Sequence, residues 1–341
     1  MKGFYLEVVW SHSLRLLFVF VLFLNYFCFA RESCGASFDE SLTAVSSGLP
    51  MGADVAAMGG ICTLEDFSSA NPAVTSISSG ATRSGTINYG NFQFKKNMLE
   101  VVSGSVASSV GDVVLQLSFA HGETPLRFLS SEELFRIKRS DTLDFQFGGN
   151  VFHGLLLDGD EVYLGMGYSF NKSVQDGITF AATSRNEFVV DSSSHGVTIG
   201  FAYKPIKQVT IGGFGSRIWT NSTSIDDGWQ NSEISSFHSI GHLGISAKII
   251  EGTTLAFDYQ SLSFSDSDTK FDQYFLGIEQ YLIRDHVAVY GGLANGGLTT
   301  GIGLYFKNGG LNLSYGNNIA KETKEFFGSC DAYMASVYLN F

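Results

Sequence analysis

The chain has 341 residues, of which 39 are Gly and only 4 Pro, a formal charge of −12 and a mean hydropathy of +0.12. The acidic balance argues against nucleic acid or anionic lipid as a partner. Beyond residue 30 no apolar run reaches the roughly 18 residues of a spanning helix, so the hydrophobicity must come from alternating positions, with many Gly and few Pro suiting long strands joined by tight turns.

The chain begins with a targeting pattern. Lys2 and Arg15 flank the start of the apolar run Leu14–Leu24, and Cys28-Phe29-Ala30 follows it. Charged start, apolar middle and small final residue predict a secretory signal peptide over 1–30, cleaved after Ala30. Its charged side chains are Lys2, Glu7 and Arg15, so removing it takes the net charge to −13 and leaves Cys34, Cys62 and Cys330. An oxidising compartment permits a Cys34–Cys62 disulfide; three unpaired thiols are the alternative.

Residues 31–81 read differently from the rest. Gly52–Gly60 is rich in small residues without a period of two, and Thr63 followed by Asp66 resembles a helix start. Asn71-Pro72-Ala73 then makes a rigid corner, because Pro72 fixes its own φ and pushes Asn71 to an extended conformation. The segment is too small for its own core and is expected to pack inside something else, as a plug.

From Ser84 onward a period of two dominates. Val162, Leu164, Met166, Tyr168 and Phe170 alternate with Tyr163, Gly165, Gly167 and Ser169, and Leu298, Thr300, Ile302, Leu304 and Phe306 with Thr299, Gly301, Gly303 and Tyr305. One face is large and apolar; the other is small and neutral, which suits a crowded lumen rather than the charged outer face of a soluble sheet. Fourteen strands are expected, near 84–94, 97–107, 111–121, 141–155, 161–173, 195–204, 208–220, 236–249, 252–264, 271–282, 286–294, 297–306, 309–317 and 331–341. A fifteenth candidate at 174–193 breaks the even number a closed barrel requires, and is read as an external loop or as a protruding extension of its neighbours. In the last strand Tyr333, Ala335, Val337, Leu339 and Phe341 share the apolar face, and the strand ends on Phe341. Tyr333, Val337, Leu339 and Phe341 read as the barrel-assembly signal of a strand that must pair with the first. With Phe341 at the periplasmic end, the short connections 204–208, 250–252, 282–285 and 307–310 fall there, while the polar 221–235, 318–330 and the acidic Ser265–Asp268 fall outside. Cys330 then lies on the external side.

A signal peptide, a small-residue segment ending in Asn71-Pro72-Ala73 and fourteen strands ending in Phe341 resemble the FadL/TodX superfamily of outer-membrane transport proteins. Gly277-Ile278-Glu279-Gln280-Tyr281, Val289-Tyr290-Gly291-Gly292 and Thr299-Thr300-Gly301-Ile302-Gly303 are most similar to motifs of the PorV/PorQ-type branch. Gln280 interrupts the first motif, and the second lacks its usual Arg. The resemblance implies an all-β, transmembrane up-and-down barrel over 82–341 in the cell outer membrane, with residues 31–81 folded inward as a hatch. It implies passive transport of hydrophobic small molecules. The alternative is a PorV-like secretion component that holds a secreted protein in its external loops.

The candidate site residues follow from both readings. Asn71, Pro72 and Ala73 are the gating element of the hatch, or a corner without motion. Tyr163, Gly165, Gly167, Phe275, Gly277 and Tyr305 are candidate lumen lining. Together with Gly200, Gly212, Gly244, Gly301 and Gly303, these glycines leave room for a plug or a ligand, or mark bends. No catalytic residue, metal site or cofactor is expected: Gly-x-Ser-x-Gly is absent, and His238 and His242 stand roughly 13 Å apart on a strand. Asp226, Asp227, Asp266 and Asp268 read as a solvated acidic rim. Arg217 shares the apolar face of its strand, so it must sit near the external rim or the register must shift there.

Overall fold

A computed structural model describes residues 53–58, 71–73, 83–94, 98–124, 128–129, 133–181, 184–226, 229–265, 270–319 and 329–341. The expected signal peptide, Cys34, Cys62, the helix start at Thr63, and Asp227, Asp266 and Asp268 lie outside the described residues.

Alternation along the chain produces strands β1 (Arg83–Phe94), β2 (Met98–Val110), β3 (Val113–Thr124), β4 (Phe128–Leu129), β5 (Glu133–His153), β6 (Glu161–Ala181), β7 (Ser184–Ile206) and β8 (Val209–Asp226). They are followed by β9 (Trp229–Ile250), β10 (Thr253–Phe264), β11 (Lys270–Ile283), β12 (Val287–Ala294), β13 (Gly297–Phe306), β14 (Gly309–Asn317) and β15 (Cys330–Asn340). Each barrel strand pairs antiparallel with its neighbours, and β15 pairs with β1 from Ser84↔Asn340 to Phe94↔Cys330. The two-residue β4 hangs on the far part of β5, while β3 bypasses it to pair with β5 directly. The result is a closed barrel of fourteen strands, in which no barrel strand is left with an open edge.

The period of two sets the faces. On β6, Leu164 and Met166 point outward at 46% and 45% exposure, while Tyr163, Gly165 and Gly167 are buried on the lumen side. Ile87, Val106, Leu117, Ile278, Ile302 and Leu339 continue the outward apolar band around the wall. The lumen face carries cross-strand hydroxyl and amide pairs, among them Thr86–Ser105 at 2.7 Å, Asn88 to Ser103 at 3.1 Å and Thr198–Ser216 at 2.7 Å. Such pairs satisfy polar side chains that would otherwise be costly inside a narrow barrel. Asn295 and Gly296, both with positive φ, make the tight turn between β12 and β13.

The structure decides one expectation about loops and changes another. Residues 174–181 and 184–193 are the protruding, mutually paired ends of β6 and β7, from Val174↔Asp191 to Ala181↔Ser184, the second of the two expected readings. In 221–235, expected as a long polar connection, 221–226 and 229–235 belong to paired strands, from Asn221↔Ser235 to Asp226↔Trp229. Outside lipid neither face of a strand need be apolar, so the alternation fades although the ladder continues. Hydroxyl and amide pairs such as Ser192–Ser222 at 2.8 Å and Ser235 to Asn221 at 2.8 Å accompany it. The barrel is therefore tall along β5–β9.

Arg217 is outward-facing, in unbroken register with Val197 and Ser239. Eight residues above the start of β8, it stands about 20 Å up a strand tilted by roughly 40°, towards the far edge of a band about 25 Å tall. Its guanidinium lies 4.3 Å from the Phe237 ring centroid and 5.7 Å from that of Trp219. A cation over aromatic faces at the band edge needs no register shift. At the opposite rim Lys207, Arg284 and Lys307 occupy the connections after β7, β11 and β13.

Candidate functional site

The lumen wall has two recesses, each filled by a piece of the segment that precedes β1. The first is a row of glycines brought together by register: Gly148 on β5 pairs with Gly165 on β6, which pairs with Gly200 on β7. Asn71-Pro72-Ala73 lies against this row. A Cβ at Gly165 would stand 2.5 Å from the Ala73 nitrogen and 2.6 Å from the Pro72 carbonyl oxygen. A Cβ at Gly148 would overlap the same carbonyl, and one at Gly200 would overlap the Asn71 side chain. Only residues without side chains allow two backbones this close.

The corner is held by the chemistry of its own residues. Asn71 Oδ1 accepts the Ala73 N–H at 3.0 Å, closing a local turn around Pro72, and Asn71 Nδ2 donates to the Phe201 carbonyl at 3.2 Å. Asn71, Pro72 and Ala73 are fully buried, with Ala73 packed against Tyr163 and Ala202. An amide side chain supplies both the acceptor for the turn and the donor for the wall.

The second recess receives the short helix α1 (Ala53–Ala57) and Met58 on the arc β11–β15. Small side chains let it approach: Ala57 packs among Ala288, Tyr290, Tyr305 and Tyr338, and Ala56 among Phe92, Cys330, Ala332 and Met334. Thr299 Oγ1 donates to the Ala57 carbonyl at 2.8 Å, meeting an acceptor that the helix end leaves open. A Cβ at Gly277 would stand 2.6 Å from the Met58 carbonyl oxygen, and one at Gly301 would stand 2.5 Å from the Ala57 Cβ. The Tyr290 and Tyr305 hydroxyls contact each other beside this seat.

Below both seats, the connection between β5 and β6 folds around one carboxylate. Asp160 accepts N–H bonds from Leu155, Leu156 and Leu157 at 2.7–2.9 Å and the Tyr203 hydroxyl at 3.0 Å. Burial pushes its pKa up, but these four donors outweigh burial and hold it below the ordinary 3.8.

No protein family and no curated protein matches the chain by sequence. Solved structures do match by shape. The Ralstonia pickettii toluene transporter TbuX superposes with a TM-score of 0.58 at 12% identity, covering 86% of this chain and 98% of its own. The monoaromatic hydrocarbon channel CymD gives 0.59 at 14%, with 86% and 98% covered. A Pseudomonas aeruginosa FadL homologue gives 0.58 at 12%, with 86% and 99% covered. The chain has the FadL/TodX barrel fold. The narrower likeness to the PorV/PorQ branch rests on short sequence motifs alone.

Within this FadL/TodX barrel all six expected lining residues face the lumen, and five of them touch the plug pieces. Tyr163 and Gly165 meet Asn71-Pro72-Ala73, Phe275 and Gly277 meet Met58, and Tyr305 meets Ala57. Gly167 instead faces Gln146 and Thr198. Tyr333, Val337, Leu339 and Phe341 face outward on the closing seam. Cys330 is a buried free thiol at the end of β15 opposite Phe341. His238 and His242 share β9, and no group of three potential metal ligands occurs among the described residues. Gly148 was invisible to sequence reasoning because only the register shows that it shares a row with Gly165 and Gly200. The wall between the seats, with Phe214, His242, Asp258 and Gln260, escaped for the same reason.

Proposed function

We propose that this protein is an outer-membrane channel for passive movement of hydrophobic small molecules, with residues 31–81 as its hatch and Asn71-Pro72-Ala73 as the latch. The observation that carries this reading is the glycine row Gly148, Gly165 and Gly200, which seats a rigid corner closely without covalent attachment. The bond from Asn71 Nδ2 to the Phe201 carbonyl and that from Thr299 Oγ1 to the Ala57 carbonyl are both neutral. Each is worth about 0.5–1.5 kcal/mol, so undocking is within reach of a ligand's binding energy.

The cargo class draws support from the barrels of like shape, which are named as toluene transporters, a monoaromatic hydrocarbon channel and a FadL homologue. The signal peptide over 1–30 and the periplasmic placement of Phe341 belong to the same proposal. Uptake of labelled toluene and of a labelled fatty acid into liposomes carrying the full mature chain tests it. Uptake well above protein-free liposomes is expected for at least one of them. Rates equal to those of protein-free liposomes for both reject transport.

A further inference from the structure

The arc of lumen wall between the two plug seats brings a histidine, a carboxylate and an amide together on one face. Register places Phe214 on β8 opposite His242 on β9, and His242 opposite Gln260 on β10. One step nearer the Phe341 end, Gly244 faces Asp258, which faces Phe275 on β11. Since lumen and lipid sides alternate, Phe214, His242, Asp258, Gln260 and Phe275 all share the lumen face.

Among the described residues, two of these side chains have a buried polar atom that makes no hydrogen bond. His242 is 4% exposed and Gln260 1% exposed, yet His242 Nδ1 and Gln260 Oε1 have no hydrogen-bond partner among the described residues. The Asp258 carboxylate comes no closer to His242 Nδ1 than 3.8 Å, beyond a hydrogen bond. Buried polar atoms are nearly always satisfied, so two unsatisfied atoms directly opposite one another call for a visiting group. The His242 ring is meanwhile held flat against Phe214, with centroids 4.3 Å apart and planes 14° from parallel. Phe214 and Phe275 supply apolar surface on either side.

We propose that His242 and Gln260, with Asp258 beside them, form a recognition station for a hydroxyl group carried by an otherwise apolar molecule, such as an alkylphenol or a long-chain alcohol. The inference rests on the transport reading and narrows its substrate class. A hydroxyl donates and accepts at once, so it accepts from His242 Nδ1–H while donating to Gln260 Oε1, or donates to a bare Nδ1 while accepting from the turned amide. A carboxylate offers only acceptors, so it suits only the pairing in which both His242 and the Gln260 amide donate, and it carries a full charge out of water. A hydrocarbon meets neither atom. An ammonium group carries a full charge out of water, where a neutral hydroxyl is far cheaper to desolvate.

The test measures binding of 4-propylphenol, propylbenzene and 4-propylbenzoate to the full mature protein, alongside propylbenzene uptake into liposomes carrying it. The wild type should bind the phenol at least tenfold more tightly than either of the other two. His242→Phe and Gln260→Met should each bring the phenol-to-propylbenzene ratio to within about threefold of unity, in barrels that still resist unheated SDS. Propylbenzene uptake without a phenol preference overturns the station and leaves transport standing. Equal affinity for the benzoate, or a preference that survives both substitutions, also overturns it and assigns the two atoms to ordered water. Propylbenzene, toluene and fatty-acid uptake all equal to that of protein-free liposomes removes the transport reading, and this inference with it.

Discussion

Gly165→Ala isolates the latch. The added Cβ would stand 2.5 Å from the Ala73 nitrogen, whereas ordinary contact begins at 3.4 Å. Asn71-Pro72-Ala73 must therefore back off the wall by about 0.9 Å, or β6 must bow outward by as much. Overpacking of this kind costs about 1–3 kcal/mol, which multiplies the undocked population relative to the docked one by about 5–150. The atoms in the way are backbone, so no side-chain rotation relieves the clash. The assay is conductance in planar bilayers together with uptake of a hydrophobic dye into liposomes, after heat-modifiable gel mobility has shown an intact barrel. Basal permeability should rise several-fold or more. Gly167→Ala is the matched control, on the same strand and the same face. Its Cβ meets the Gln146 Cγ at 3.2 Å, part of a flexible side chain, and none of its three nearest atoms belongs to the plug. Equal permeability in the two variants, whether both unchanged or both raised, refutes the seat as the element that holds the hatch.

Asn71→Ala removes both the turn bond to the Ala73 N–H and the wall bond to the Phe201 carbonyl. It should raise permeability in the same assay, and the double variant with Gly165→Ala should fall short of the two effects combined, because both act on one docked corner. Asp160→Asn replaces an acceptor-only carboxylate by a group that turns N–H donors towards N–H donors, and should lower stability by about 1–3 kcal/mol in urea titrations. Because the folded pKa of Asp160 lies below the ordinary 3.8, its stabilisation is full above that pH and is lost as pH falls through the folded value. The stability difference between wild type and Asp160→Asn should therefore shrink only in strong acid. Ile278→Arg, about 12 Å up from the Phe341 rim on the outward face, should destabilise the barrel by about 2–4 kcal/mol in lipid vesicles. Leu282→Arg, beside the rim, should cost no more than about 1 kcal/mol; equal costs would put the lipid band elsewhere.

The barrel was legible wherever lipid and lumen impose unlike faces. From β10 to β15 every strand falls within about a residue of its expected limits, because Leu255, Phe257, Ile278, Ile302 and Leu339 mark one face without interruption. Legibility fails above the band. Asn221-Ser222-Thr223-Ser224 carries no period, since water on both sides demands none, and only pairing with β7 and β9 shows it to be strand. The corner at Pro72 was legible from local stereochemistry; its seat was not. Gly148, Gly165 and Gly200 come from three strands, and His242 and Gln260 from two more, so their meeting depends on register that turn lengths fix only after folding. Phe275 and Tyr305 face the lumen, but a pattern of large and small residues cannot say whether the small ones make room for a guest or for the chain's own plug.

The ladder between β1 and β15 joins Ser84 to Asn340 and Gln93 to Asp331, with Phe341 N–H donating to the Arg83 carbonyl at 3.1 Å. It spans the largest separation along the chain of any ladder in the wall, and so carries the largest entropy of closure. Hairpins between successive strands can form while the chain is still short; this pairing cannot begin until β15 exists. A sheet curling toward that meeting is open along its length, and Asn71-Pro72-Ala73, only ten residues before β1, can settle onto Gly148, Gly165 and Gly200 from the side. Once the strands meet, the same corner could reach its seat only by threading through a mouth. The topology thus favours one order of events, with the plug laid in before β15 closes the wall around it.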